Sequence, residues 1–200
     1  MEALAERISK MMVRAGITQD DDAEVVAYGL FVIMSGAVQI SLLLLISLIL
    51  GIVPAMAAFV LPYSLLKRTI GGWHAKTHAA CLAGYTSLAT VFACAGWYTP
   101  QALTRPATFL FGAFMVATIW LRAPVGHPNN PQRPAQMLRY KRIGRAVATA
   151  EWLVLTGLAV IGGSPGLNSL ALCGALGGAV AAVTLLIPMG SSAEKGGEST

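Results

Sequence analysis

The sequence predicts an all-α, polytopic integral membrane protein with about six transmembrane helices and an N-terminal amphipathic helix lying in the interface. Three observations carry this. Of the 200 residues, 56% are hydrophobic and only 12% charged, against roughly 25% charged in a soluble domain, so there is too little polar surface to wet a compact body of this size. Two runs, Val25 to Leu66 and Trp152 to Ala193, each extend for 42 residues without a charge. The 14 Lys and Arg residues lie in short clusters between such runs. That distribution reads as membrane topology and not as a nucleic-acid surface, despite the net charge of +5.

Residues Met1 to Ile17 set Leu4, Ile8, Met11, Met12 and Ala15 on one helical stripe and Arg7, Lys10 and Arg14 on the opposite face, the pattern of an interfacial helix over 1–18. Glu2, Glu6 and the acidic stretch Asp20 to Glu24 interrupt the N-terminus, so no cleavable signal peptide is expected. As one helix, Val25 to Leu66 would be roughly 63 Å long, about twice a hydrocarbon core. Gly51 and Pro54 supply the fold-back, giving spans near Val25 to Leu50 and Val53 to Leu66. Thr77 to Thr104 is a third span, and Pro106 to Leu121 a short fourth flanked by Arg105 and Arg122. In the last run, Gly162-Gly163-Ser164-Pro165-Gly166 separates two more. Residues 1–190 are expected to form a single transmembrane catalytic domain, and the Gly-rich polar segment 191–200 a disordered tail.

Six spans place both termini on one side. The N-terminal segment, the second and fourth connections and the tail together hold 13 of the basic residues, whereas the opposite connections hold Arg105 alone. The positive-inside rule then expects both termini to be cytoplasmic.

The polar residues crowd into one cytoplasmic stretch, Lys67-Arg68-Thr69-Ile70-Gly71-Gly72-Trp73-His74-Ala75-Lys76-Thr77-His78-Ala79-Ala80-Cys81. Cys81 is a candidate nucleophile, and a thiol needs a base or cation nearby to react as thiolate. His78, three residues earlier, would share a helix face with it. His74 lies seven residues earlier, about 10 Å along an unbroken helix, and could act only if the helix is broken between them. Gly71-Gly72 makes such a break plausible and would let backbone N–H groups approach an oxyanion. Other readings stand beside this one: His74, His78 and Cys81 at i, i+4 and i+7 could be three metal ligands, and Lys67, Arg68 and Lys76 could be snorkelling anchors. Cys94 and Cys173 read as packing residues, and with three cysteines and no CxxC pair a disulfide framework is not expected.

A second polar feature, Arg122 to Arg133, is Pro-rich and reads as an ordered, non-helical loop, with His127 a bystander or catalytic partner. The run Arg139-Tyr140-Lys141-Arg142-Ile143-Gly144-Arg145 follows as an anion-docking surface for a peptide or for lipid headgroups. Glu151, the only acidic residue near the membrane interior, is a functional suspect unless Arg142 or Arg145 pairs with it. A rival class, a non-catalytic transporter or scaffold, would spread polar residues through several facing spans. Here the spans offer little beyond Ser35, Gln39, Ser41, Ser47 and Thr184.

Arg68-x-x-Gly71-Gly72-x-His74-Ala75-Lys76 followed by Cys81 resembles the signature of the AgrB family, membrane cysteine endopeptidases that process precursors of cyclic quorum-sensing peptides. Ala123-Pro124-Val125 with Asn129-Asn130-Pro131 and the basic run resembles the family's second patch. The resemblance implies Cys81 as nucleophile and His74 as base, with no cofactor and no metal. It implies an AgrD-like propeptide as partner, cut through an acyl-enzyme thioester and closed to a thiolactone or lactone, and a homodimer in the bilayer. Lys67, Arg68, Arg139, Lys141, Arg142 and Arg145 are expected to receive the propeptide's acidic tail, and Gly72 and Lys76, which match the motif with Arg68, to bind the substrate. Asn129, Asn130 and Glu151 are candidates for orienting His74. The Ala- and Gly-rich composition departs from the Lys- and Ile-heavy members taken as typical.

Overall fold

The computed structural model describes residues 2–72, 77–124 and 134–187; the side chains of Pro134 and Ala135 are not described. Among these residues there is no β-strand, and the long elements are seven α-helices: α1 (Glu2–Arg14), α2 (Ala23–Ile49), α3 (Val53–Ile70), α4 (His78–Tyr98), α5 (Gln101–Arg122), α6 (Pro134–Ile161) and α7 (Pro165–Val183). Five of them, α2 and α4 to α7, are long and apolar enough to cross a membrane. The sixth expected span corresponds to α3, whose 18 residues end on Lys67, Arg68, Thr69 and Ile70 and include two prolines, Pro54 and Pro62. The chain is thus an all-α, polytopic membrane protein.

The breaks fall where local chemistry demands them. Between α2 and α3, Gly51 adopts a φ of 67°, open to glycine and costly for other residues, and Pro54 sits in the first turn of α3, where its missing N–H is no loss. Between α6 and α7, Gly163 has a φ of 60°. The Ser164 hydroxyl then caps α7 by accepting from the Leu167 N–H at 3.4 Å, followed by Pro165.

Two expected boundaries move. The turn between the third and fourth spans is at Thr99-Pro100, not beyond Thr104, so Thr104 and Arg105 belong to the start of α5. Pro106 lies inside α5, in its second turn, where its missing N–H forgoes one helix hydrogen bond. The helix of the fifth expected span, α6, starts at Pro134 and not near Trp152, so the basic run 139–145 is helical.

The chain divides into two compact units, 1–49 and 50–200. In the first, Ala5 and Ser9 of α1 are buried, and the Ser9 hydroxyl donates to the Ala23 carbonyl at 2.6 Å. Leu4 and Met11 remain half exposed or more, which leaves the apolar stripe of α1 open.

In the second unit α7 is the centre: 72% of its apolar window is buried, against 22–33% for α4, α5 and α6, and α3, α4, α5 and α6 all pack on it. Lipid is as apolar as leucine, so helices in a bilayer associate through close backbone approach over small residues. The sequence Cys173-Gly174-Ala175-Leu176-Gly177-Gly178-Ala179 provides it. A Cβ on Gly177 would collide with the Phe59 carbonyl of α3, and one on Gly178 with the Met115 sulfur of α5. At one end of this unit Leu66, Ile70, Met115, Ile119, Ala123, Ala148, Ala181, Ala182 and Leu185 form a buried apolar cluster. Large side chains such as Leu61, Leu110, Leu121 and Ile161 point outward at 63–85% exposure, as lipid-facing residues do.

Candidate active site

The end of α3, the start of α4 and the end of α7 converge above that apolar cluster. Thr77 caps α4: its hydroxyl oxygen accepts from the Ala80 N–H at 3.2 Å. The Cys81 N–H reaches the Thr77 carbonyl at 3.0 Å, so Cys81 closes the first turn of α4. Its thiol is exposed. A helix N-terminus favours a negative charge in its first turn.

Across from it, α3 presents Tyr63 and Lys67, one turn apart, to the pair Cys81 and Tyr85, one turn apart on α4. The Tyr63 and Tyr85 rings lie 4.6 Å apart between centroids, and Phe59 extends the contact to Phe92 at 6.4 Å. That aromatic seam fixes the register of the two helices. In the same register the sulfur of Cys81 is an electrostatic neighbour of both Tyr63 and Lys67. Lys67 lies beyond the apolar span that ends at Leu66. Burial lowers its pKa to about 8, and Cys81 acts the other way, favouring the charged ammonium.

The ammonium is tied down. Lys67 Nζ donates to the Gly71 carbonyl at 3.2 Å and to the Thr184 hydroxyl at 3.0 Å. The Gly71-Gly72 pair ends α3 with φ values of 69° and 103°, a left-handed path that other residues rarely follow. A Cβ on Gly72 would meet Thr184 Oγ1 at 2.7 Å and the Thr184 carbonyl oxygen at 3.1 Å. Gly72 therefore lies hard against the end of α7.

His74 and Lys76 lie outside the described residues, as do His127, Asn129 and Asn130. His78 is half-buried at the first position of α4. Arg68 is exposed at the end of α3. Arg139 and Arg142 are exposed and Lys141 half-buried in the first turns of α6. Gly144, on the same helix, brings α6 against α3: a Cβ there would meet Ile70 Cγ2 at 3.2 Å. Arg145 is engaged otherwise, donating to the Trp120 carbonyl at 2.7 Å and stacking its guanidinium 4.8 Å from the Trp120 ring centre. Glu151 lies between Ala148 and Leu155 on the inner stripe of α6, and neither carboxylate oxygen has a hydrogen-bond partner among the described residues. Cys173 is buried, donating to the Ala93 carbonyl at 3.6 Å. Among the described residues no group of three His, Cys, Asp or Glu could hold a metal. The alternative trio of His74, His78 and Cys81 includes a residue outside them.

Sequence reasoning missed two members of this arrangement. Lys67 was read as an anchor or tail receiver, although the spacings 63/67 and 81/85 were a signal that two helix faces match. Thr184 stood out in the sequence only as one of the few polar residues in the spans, with nothing to tie it to Cys81.

The sequence model of the AgrB family, described as Accessory gene regulator B, matches residues 4–185. No curated protein and no solved structure matches the chain.

Proposed function

The chain belongs to the AgrB family, and from that premise we propose that it is a membrane cysteine endopeptidase in which Cys81 is the nucleophile and His74 the base. Family membership carries a role in processing autoinducing-peptide precursors, with an AgrD propeptide as partner. The observation that carries the finer reading is the setting of Cys81: an exposed thiol in the first turn of α4, electrostatically coupled to the Lys67 ammonium. A cysteine that only packs, as Cys173 does, has neither exposure nor a cation.

In the proposed reaction His74 takes the thiol proton and the Cys81 sulfur attacks the scissile carbonyl carbon. The tetrahedral intermediate collapses, the C–N bond breaks, and His74 returns the proton to the departing amine of the C-terminal segment. The remaining peptide is held on Cys81 as a thioester. An internal cysteine or serine of the propeptide then attacks that carbonyl, the C–S bond breaks, and Cys81 is regenerated as the ring closes. Cyclisation competes with hydrolysis of the thioester, and exclusion of water by the bound propeptide would favour the ring. The exposed cations Arg68, Arg139 and Arg142, with half-buried Lys141, suit an acidic released tail, Lys76 adds a further charge to the same stretch of sequence as Gly72, and Arg145 supports α6 through Trp120. The charge asymmetry of the sequence supports a cytoplasmic site with both termini on the same side.

The test is reconstitution with a candidate propeptide and mass spectrometry of the products. Cleavage with a dehydrated, cyclic product is expected, abolished by Cys81→Ala and by His74→Ala. Loss with His78→Ala but not His74→Ala would reassign the base, and cleavage by Cys81→Ala would end the proposal.

A further inference from the structure

Thr184 stands 117 positions from Lys67 in the chain, yet the two meet at the end of α7. The Thr184 hydroxyl donates to the Ala181 carbonyl at 2.7 Å. With its single proton so committed, its lone pairs are what it offers to the ammonium of Lys67 at 3.0 Å. The same residue bounds Gly72 from the other side, through its hydroxyl at 2.7 Å and its carbonyl carbon at 3.3 Å from a Cβ position on that glycine. One threonine therefore touches both parts that α3 contributes to the site: the cation beside Cys81 and the backbone from which the His74 segment departs.

We propose that Thr184 is a positioning residue of the Cys81 centre, acting through Lys67 and Gly72. It rests on the reading of Cys81 as nucleophile. Thr184 touches no reacting atom. Its hydroxyl fixes where the ammonium sits, and its backbone fixes how closely the Gly71-Gly72 turn can approach. A lysine on a flexible four-carbon stem has no preferred place of its own. Held at both Gly71 and Thr184, the ammonium is kept beside the sulfur while α3 and α7 are locked together.

The test uses the full chain in lipid nanodiscs with three variants, Thr184→Val, Thr184→Ser and Lys67→Met, and the Lys67→Met/Thr184→Val pair. The first readout is the rate of alkylation by iodoacetamide at Cys81, followed peptide by peptide so that Cys94 and Cys173 do not contribute. The second is propeptide cleavage, split into kcat and KM. Thr184→Val, of equal size without the hydroxyl, is expected to slow both alkylation and kcat about tenfold, the scale of one hydrogen bond to a charged group, with KM unchanged. Thr184→Ser should restore both. The double variant should be no slower than Lys67→Met, because the hydroxyl acts through the lysine. Wild-type alkylation and cleavage by Thr184→Val, or full additivity with Lys67→Met, would overturn the proposal. If the wild-type protein cleaves no propeptide, the protease reading falls, and alkylation of Cys81 still decides the role of Thr184.

Discussion

Gly72→Ala should slow processing thirtyfold or more without a change in any titratable group. At a φ of 103° an alanine is strained by about 1–3 kcal/mol. Its Cβ would also lie 2.7 Å from Thr184 Oγ1, 3.1 Å from the Thr184 carbonyl oxygen and 3.3 Å from its carbonyl carbon. The hydroxyl could rotate away only by giving up its bonds to Lys67 and Ala181, and the backbone atoms cannot rotate at all. Overpacking of this kind adds about 1–3 kcal/mol. The sum is about 2–6 kcal/mol. Since 1.4 kcal/mol is tenfold, its lower end already depletes the native arrangement about thirtyfold. The assay is propeptide cleavage by purified protein in nanodiscs, beside Gly84→Ala, where an added Cβ meets nothing within 4 Å although it is one turn from Cys81. The expected result is a loss of thirtyfold or more for Gly72→Ala and little change for Gly84→Ala. Cleavage by Gly72→Ala within threefold of wild type would refute the close contact between Gly72 and Thr184.

Two further perturbations test the frame around the site. With a Lys67 pKa of about 8, the ammonium loses its proton as the pH rises through that value, so cleavage should decline above about pH 8; Lys67→Arg, charged at every accessible pH, should retain its own activity there, and an unchanged alkaline decline in its pH–rate profile would assign the limb to another group. Gly177→Ala drives a Cβ into the Phe59 backbone and should destabilise the protein by about 1–3 kcal/mol, read as a lowered Tm in detergent, whereas Gly157→Ala, with nothing within 4 Å, should not; equal Tm values would mean that α3 and α7 are farther apart than described.

The helices and their breaks were legible because their causes are local. Charge-free length sets a span, and Gly51, Pro54, Gly163 and Pro165 act on the residues beside them. The moved boundaries have a local cause as well. Arg105 marked an apparent end of the third span because charge was used as the boundary, whereas Thr99-Pro100, which carries none, makes the turn. The Arg139 to Arg145 run fell in a connection and outside the fifth span for the converse reason: a helix that emerges from the membrane keeps its backbone pattern while its side chains become polar.

The site was legible only along one helix at a time. Spacing could bring Cys81 to the start of a helix, but it could not say which cation faces it, because that depends on how α3 and α4 are matched by Tyr63 and Tyr85. It was still less able to reach Thr184. What brings Thr184 to the site is the small-residue stretch Gly174 to Gly178, which lets α7 lie against the backbone of α3 at Phe59 and so carries its last turn up to Lys67 and Gly72. The Ala- and Gly-rich composition of this chain, which in the sequence looked like a departure from the family, is thereby tied to the site. With larger side chains along α7 the two helices would stand apart, and the Lys67 ammonium would have to be held by some other oxygen.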